Sequence, residues 1–245
     1  MINKTVLITG GARGIGKAMS EAFAKEGYNV LINFNKSEDE ANELYTKLSE
    51  KNSYVKLFKA DVSNRVEVEN MIDYCVKEFG GLDVLVNNAG ISQDKLFTDI
   101  TDEDWDRMMN INLKGCFYCS QVALKYMISE KKGNIINISS IWGISGASCE
   151  VHYSITKAGI IGMTKALAKE VGPSNIRINS IAPGVINTDM LSEYNSEDIN
   201  VLVEETPLMR LGTPDDIANC AIFLASDKSN FITGQVISPN GGFVI

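Results

Sequence analysis

From Thr5 to Ser238 short β-branched apolar runs alternate with longer amphipathic stretches, and this alternation restricts the possible folds more than any other feature. The runs are Thr5–Thr9, Asn29–Phe34, Val55–Ala60, Asp83–Asn87, Asn134–Ile138, Arg177–Ile181 and Gln235–Ser238. Helical patterns fill Gly14–Glu26, Glu38–Glu50, Arg65–Phe79, Asp102–Ser129, Tyr153–Val171 and Pro214–Ala225. Val6-Leu7-Ile8 and Val84-Leu85-Val86 are apolar at successive positions, as in strands covered on both faces. Repeated strand–helix–strand units with right-handed crossovers predict an α/β fold: one doubly wound, Rossmann-type domain whose seven-stranded parallel sheet carries helices on both faces. No repeat, linker or low-complexity tract divides residues 1–245. One long irregular stretch, about 183–207, is acidic and polar with two helix-like fragments, and a loop that long usually serves as a lid or binding loop.

Composition excludes several classes. A formal charge of −8 is unsuited to nucleic acid, whose phosphates need a basic surface. No apolar run approaches the ~18 residues of a membrane span. Met1-Ile2-Asn3-Lys4 leads directly into a strand-like segment, so no signal peptide is expected. The 5 cysteines are scattered through a chain large enough to fold without staples, which predicts a reducing, cytoplasmic setting. Cys116-x-x-Cys119 falls within a helical pattern, and with 1 histidine in the chain no metal site is expected.

The first strand runs into Thr9-Gly10-Gly11-Ala12-Arg13-Gly14-Ile15-Gly16, which opens directly into a helix. Glycines at 10, 14 and 16 permit a tight turn, and the helix N-terminus offers free N–H groups to a pyrophosphate. No Gly-Lys-Ser/Thr follows, so this is not a nucleoside-triphosphate loop. An acid at the end of the second strand would hold an adenosine ribose and select NAD. The segment here, Asn33-Phe34-Asn35-Lys36, has none. Arg13 and Lys36 can instead meet a 2′-phosphate, although Lys36 reads equally well as a solvated surface lysine. The expectation is NADP(H), with an acid placed at Phe34 shifting preference toward NADH.

Tyr153 and Lys157 stand four residues apart in a helical pattern and therefore share a face. An adjacent ammonium should lower the phenol's pKa from about 10 toward the working range. Ser140, arriving from another segment, can hold a substrate oxygen against that phenol. Alone the Tyr/Lys spacing is weak, because exposed helices often show it. Asn112 lies inside the Asp102–Ser129 pattern, where asparagine is a mediocre helix former, and freeing a helix carbonyl for water would explain it.

Together Thr9-Gly10-x-x-x-Gly14-Ile15-Gly16, Asp61-Val62, Asn87-Asn88-Ala89-Gly90, Asn112, Ser140, Tyr153-x-x-x-Lys157 and Pro183-Gly184-x-x-x-Thr188 resemble the short-chain dehydrogenase/reductase family along essentially the whole chain. The resemblance implies a single dinucleotide-binding and catalytic domain. Asp61 and Val62 would flank the adenine, with Asn35 beside them at the ribose end, and Asn88, Ala89 and Gly90 would line the cofactor pocket. Pro183, Gly184, Val185, Ile186 and Thr188 would complete it, Thr188 touching the carboxamide or pyrophosphate. Ser140 would orient a carbonyl, Tyr153 would protonate it, Lys157 would bind the nicotinamide ribose, and Asn112 would anchor a water of the proton relay.

Within that family Ile138-Ser139-Ser140, Ala158-Gly159-Ile160-Ile161-Gly162 and Asn240-Gly241-Gly242 are most similar to bacterial 3-oxoacyl-[acyl-carrier-protein] reductases of fatty-acid biosynthesis. The alternatives are another carbonyl or alcohol substrate (acetoacetyl-CoA, a sugar, a steroid, a small ketone) or a catalytically silent dinucleotide binder. Two features depart from the pattern. Such reductases commonly carry Gln-x-Asn before the tyrosine where this chain has Glu150-Val151-His152, and Trp142 sets a bulky ring just past Ser140. His152 is either a neutral bystander or a substrate contact. An acidic acyl carrier would need basic residues to dock, for which Lys125, Lys131, Lys132 and Arg177 are candidates or ordinary surface charges. The resemblance also implies a homotetramer of two-fold pairs. The apolar residues Cys116, Phe117, Cys119, Val122, Ala123, Tyr126 and Met127, with those of the Tyr153 helix, offer more surface than one core-facing stripe needs, and the apolar end Gly242–Ile245 could pack across a neighbour.

Overall fold

The computed structural model describes residues 4–50, 54–191 and 194–245. Met1, Ile2 and Asn3, on which the signal-peptide expectation drew, lie outside them. Seven parallel strands are β1 (Thr5–Ile8), β2 (Asn29–Phe34), β3 (Val55–Lys59), β4 (Val84–Asn87), β5 (Gly133–Ile138), β6 (Ile176–Ile181) and β7 (Val236–Ile237). Their order across the sheet is β3-β2-β1-β4-β5-β6-β7, the doubly wound arrangement expected from the alternation. β1 pairs in parallel with both β2 and β4, setting Ile8 beside Ile32 on one side and Val86 on the other.

The helices are α1 (Gly14–Lys25), α2 (Glu38–Ser49), α3 (Arg65–Phe79), α4 (Asp102–Met108), α5 (Gly115–Glu130), α6 (Trp142–Ser145), α7 (Val151–Val171), α8 (Ser196–Glu204) and α9 (Pro214–Ala225). They cover both faces, and two cores result. One joins Val6, Ile8, Val30 and Ile32 to Met19 and Phe23 of α1 and Ile217 and Leu224 of α9. The other joins Leu7, Leu31, Leu85 and Ile135 to Met71 of α3, Ala123 and Met127 of α5 and Val171 of α7. Alternate residues of one strand therefore feed opposite cores, which is why the strands read as unbroken apolar runs.

Two predicted elements differ. The single helix over Asp102–Ser129 is instead α4, a π-helical segment over Met109–Lys114, and α5. The wider turn accommodates Asn112, whose side chain is drawn into bonds with a neighbouring loop. The last strand shortens to Val236–Ile237: Gln235 O still accepts from Ser180 N–H of β6, but its own N–H donates to the Asn179 side chain and not to a backbone carbonyl. In the long loop the two fragments are a short 3₁₀ turn, Asp189–Leu191, and α8, which an Asn195–Asp198 capping box starts. No helix among the described residues is long and apolar enough to cross a membrane.

The glycine turn packs against its own helix so closely that a Cβ on Gly16 would lie 2.1 Å from the Gly10 carbonyl oxygen and 2.7 Å from Asn88 Nδ2. Neither the backbone oxygen nor the bonded Asn88 can retreat. Gly16→Ala is therefore expected to cost about 3 kcal/mol of stability in urea denaturation; an unchanged midpoint would refute this packing.

Candidate active site

The C-terminal ends of β1, β4, β5 and β6 meet at the point where the chain's windings diverge; the glycine motif, Asn87–Gly90, Ser140 and Pro183–Thr188 lie at or just beyond them, Asp61–Val62 follows β3, Asn112 lies in the π-helical segment, and Tyr153 and Lys157 lie on α7. Gly10 and Gly14 adopt φ of 60° and 51°, which only glycine takes without strain. Their turn is held from both sides. Asn33 Oδ1 accepts from Gly10 N–H at 3.2 Å and its Nδ2 donates to Ala60 O at 3.0 Å. Asn88 Nδ2 donates to Thr9 O and Gly10 O at 2.9 and 3.0 Å, while Thr9 Oγ1 accepts from Asn88 and Ala89 N–H. Asn88 and Ala89 thus brace the cradle, and Asn33, a polar residue inside an apolar strand, shares a task that the motif reading did not give it.

The start of α1 suits an anion. Side chains cap α3, α4, α8 and α9, whereas α1 has neither a side-chain cap nor an acid in its first turn. Its free N–H groups and positive dipole end face the turn. A Cβ on Gly14 would lie 3.7 Å from the Thr188 methyl, so the glycine turn and the Pro183–Thr188 segment form the two sides of one slot. Arg13 is exposed at the helix entrance and makes no ion pair among the described residues; Lys36 is likewise exposed and unpaired. Asn35 is exposed at the end of β2, but Phe34 is 7% exposed within the core, so an acid at Phe34 would break packing before it altered specificity. Asp61 Oδ1 accepts from both the N–H and the hydroxyl of Ser63. Val62 is buried against Gly115. Ile15 is partly buried against the core, Ile186 and Pro183 are buried, and Val185 O accepts from Gly212 N–H.

Ser140, Tyr153 and Lys157 converge beyond β5. Ser140 is 7% exposed, its Oγ accepts from Trp142 N–H at 3.1 Å, and its hydroxyl lies near enough to the Tyr153 phenol to act on its acidity. Lys157 is 4% exposed; its ammonium donates to Ile138 O at 3.0 Å and sits 5.4 Å from the Tyr153 ring centroid. A Cβ on Gly90 would come within 3.6 Å of the same Nζ, so a side chain there would obstruct it. Burial lowers the Lys157 pKa to about 8, which leaves it mostly cationic at neutrality.

The tyrosine corrects the expectation of a lowered pKa. Burial, followed by the charge of Glu150, pushes the phenol above its ordinary value, and only the Ser140 hydroxyl acts in the opposite direction. Lys157 points at the Ile138 carbonyl, so its charge is not spent on the phenolic oxygen. The phenol is thereby held as an acid.

The Asn112 side chain is fully engaged within the chain. Its Oδ1 accepts from Ile91 N–H and its Nδ2 donates to Ile91 O, both at 2.8 Å, with a further bond to Thr156 Oγ1 at 3.3 Å. The side chain clamps the loop after Gly90 to the catalytic helix and is not free to hold a water. His152 is fully buried and bonds through Nε2 to Gln93 Oε1 at 3.0 Å. Burial lowers its pKa, so it is the neutral bystander of the two readings. Gln93 continues to Asp104, which Lys95 pairs at 2.6 Å. Sequence patterns missed this Gln93–Lys95 corner, whose only signal was its place directly after the Asn87–Gly90 motif. Trp142 stacks edge-on against Phe243 at 5.9 Å and ties the chain's end to the Ser140 loop.

The proposed docking cations separate. Lys131 and Lys132 precede β5 and so lie at the opposite end of that strand from Ser140 within one chain. Lys132 pairs with Asp83 at 3.0 Å. Arg177 gives its guanidinium to the carbonyls of Leu224, Ser226 and Ile232, which makes it a structural residue. The surplus of apolar surface is smaller than the sequence suggested. Cys116, Cys119, Val122, Ala123 and Met127 are buried in the chain's own core, while Phe117 is 43% exposed beside a groove lined by Met109, Leu113 and Met163.

A family model described as enoyl-(acyl carrier protein) reductase matches residues 10–244. The chain is 42% identical over 241 residues to the 3-oxoacyl-[acyl-carrier-protein] reductase of Staphylococcus epidermidis, covering 98% of this chain and 99% of the relative. Identity to the enzyme of the same name from Thermotoga maritima is 41% over 242 residues, and to that of Chlamydia trachomatis 42% over 242 residues, each covering 99% of this chain and 98% of the relative.

Proposed function

Because this chain belongs to the short-chain dehydrogenase/reductase family, we propose that it is an NADPH-dependent oxidoreductase that reduces the ketone of a 3-oxoacyl thioester, carried on acyl carrier protein, to the 3-hydroxyacyl form in fatty-acid biosynthesis. The observation that carries this is the convergence of Ser140, Tyr153 and Lys157 beside an uncapped glycine cradle. The relatives' names select the 3-oxoacyl thioester over the enoyl thioester of the family model's description. The chemistry of the corner agrees, since Ser140 and Tyr153 present two hydroxyls to one oxygen.

The cradle fits a dinucleotide. The α1 N-terminus with Gly14 would take the pyrophosphate, Arg13 and Lys36 a 2′-phosphate, Asn35 the neighbouring ribose, Asp61 and Val62 the adenine edge, and Gly90, Ile186 and Thr188 the nicotinamide end. The bound NADPH supplies a hydride to the carbonyl carbon. Tyr153 donates its phenolic proton to the carbonyl oxygen, and Ser140 donates a hydrogen bond to that same oxygen. Lys157 leaves the Ile138 carbonyl to bind the nicotinamide ribose and stabilises the phenolate left behind, which is reprotonated from water. A water relay at Asn112 would use its backbone carbonyl. The segment 183–207 would close over the substrate. The protein would work in the cytoplasm.

A panel of acetoacetyl and longer 3-oxoacyl groups on acyl carrier protein and on CoA, an enoyl thioester, a sugar and a steroid ketone tests the assignment. The highest kcat/KM is expected with the carrier-bound 3-oxoacyl group, and a preferred sugar or steroid would overturn it. Tyr153→Phe should lower kcat by ~10²–10⁴-fold with NADPH binding retained. A folded Tyr153→Phe protein that keeps most of its activity would remove the phenol from the mechanism.

For cofactor choice, a higher kcat/KM is expected with NADPH than with NADH. Asn35→Asp, at the exposed end of β2, should reverse that preference through repulsion of the 2′-phosphate. A wild-type preference for NADH would contradict the roles of Arg13 and Lys36.

The assembly read as a homotetramer would cover the groove of about 400 Å³ between the π-helical segment and α7 with a second copy. Light scattering should return about four times the 26.8 kDa chain mass. Phe117→Glu with Met163→Glu should reduce it, and a fully active wild-type monomer would refute the pairing.

A further inference from the structure

The first turn of α7 carries Tyr153, yet no cap secures it. Glu150 stands at the N-cap position without a side-chain cap bond, and Val151, His152 and Tyr153 follow at once. An uncapped first turn leaves orphan N–H groups and frays. The loop after β4 supplies the restraint. Its residues Ile91, Gln93 and Lys95 are partly buried, whereas Ser92, Asp94 and Leu96 are exposed, the alternation of an extended segment laid along a surface. Each inward residue holds a different piece of the chain around Tyr153. Ile91 is bonded through both N–H and O to Asn112, whose Nδ2 also donates to Thr156 Oγ1 at 3.3 Å. That hydroxyl in turn donates to Tyr153 O at 2.7 Å. Lys95 N–H donates to Cys149 O at 2.7 Å, immediately before the N-cap. Gln93 meets the residue before the tyrosine, its Oε1 lying 3.0 Å from His152 Nε2.

The hydrogens of that last bond are fixed from its far end. Asp104 Oδ2 accepts from Lys95 Nζ at 2.6 Å and from the Thr101 hydroxyl at 2.7 Å. Lys95 foremost, then Thr101 and Gln93, hold this carboxyl well below the usual carboxylate range. An ionised carboxylate only accepts, so the Gln93 amide turns its Nε2 to Asp104 Oδ1, at 2.9 Å, and its oxygen to the imidazole. His152 Nε2 therefore carries the proton. Nδ1 is left bare, buried and without a hydrogen-bond partner among the described residues. Protonating it would bury an unpaired N–H and a charge, and burial accordingly lowers the ring's pKa. The donors thus point one way, from imidazole through amide to the Lys95–Asp104 pair, and the fully buried His152 cannot exchange its partner for water.

We propose that Gln93 and His152 are positioning residues for the reaction, a hydrogen-bonded brace that holds the uncapped first turn of α7, and with it the Tyr153 phenol, against the loop after β4. This rests on the reductase reading of Ser140, Tyr153 and Lys157. The pair acts through the backbone of Tyr153 and takes no part in proton or hydride transfer. Without the bond, the first turn keeps only the tethers at Cys149 and Thr156. A displacement of about 1 Å at a reacting group costs up to ~10²-fold in rate. The glycine cradle is held separately, by Asn33 and Asn88, so loss of the brace leaves cofactor binding in place.

The test is a double-mutant cycle on kcat for acetoacetyl-CoA reduction, with Gln93→Met, His152→Met and the two combined. His152→Gln joins them as the variant whose amide can still donate to Gln93 Oε1. Each Met variant should lower kcat by ~10–10²-fold with KM for NADPH unchanged. The combined variant should lose no more than the worse single one, because both remove the same bond. His152→Gln should recover most of the kcat. A lowered urea midpoint with kcat retained assigns the pair a purely structural role and overturns the proposal. So do losses that add in the combined variant, or a His152→Gln as slow as His152→Met. With 1 histidine in the chain, nitrogen NMR of the labelled imidazole reads the brace without turnover. A neutral ring protonated on Nε2 is expected in the wild type, giving way to mixed tautomers in Gln93→Met; a wild-type ring protonated on Nδ1 overturns the proposal. A wild type that shows the Nε2–H tautomer, loses it in Gln93→Met and reduces no thioester leaves the brace standing and overturns the reductase reading instead.

Discussion

The site depends on one constraint, the parallel pairing of β1 with β4 at the centre of the sheet. Because the chain winds away from these two strands in opposite directions, nothing crosses their C-terminal ends and a crevice is left there. Side-chain bonds keep that crevice to one shape. Thr9 reaches from the end of β1 to Asn88 and Ala89, and Asn88 returns to the carbonyls of Thr9 and Gly10. The glycine turn, the loop after β4 and, through Asn112, the catalytic helix are thereby joined as one rigid body. Pre-organisation of this kind lets fixed hydroxyls act on a carbonyl without first being ordered.

Most of this architecture was legible in the sequence. Unbroken apolar runs such as Val84-Leu85-Val86 can be covered only from both faces, and the alternation with helices then leaves little choice but a parallel sheet. Glycine spacing located the cradle because close backbone approach leaves no room for a Cβ, as Gly16 demonstrates. The site residues that were misread are those whose role depends on a tertiary partner. The irregularity at Asn112 was legible, but the bonds of its side chain to Ile91, twenty-one residues earlier, had no signal in the sequence. Arg177 looked like surface charge until the carbonyls at the end of α9 were brought to it. The apolar residues of α5 suggested an exposed stripe because periodicity cannot reveal that both α3 and β5 pack against that helix.

The phenol shows the same limit in electrostatic terms. Spacing placed Lys157 beside Tyr153, and a one-dimensional reading took the cation to dominate. In the folded chain Lys157 donates to a backbone carbonyl, and burial, followed by the charge of Glu150, raises the phenol instead. What the fold supplies at this stage is a protonated tyrosine with a serine hydroxyl nearby, an acid suited to a ketone that is gaining electron density on oxygen.

The most direct test is a crystal structure of the ternary complex with NADP⁺ and a 3-hydroxyacyl thioester. The account predicts the 3-hydroxyl oxygen at hydrogen-bond distance, ~2.6–3.2 Å, from both Tyr153 Oη and Ser140 Oγ. It also predicts Lys157 Nζ transferred from Ile138 O to the nicotinamide ribose, with the pyrophosphate on the α1 N-terminus. A ternary complex whose substrate oxygen contacts neither hydroxyl would contradict it.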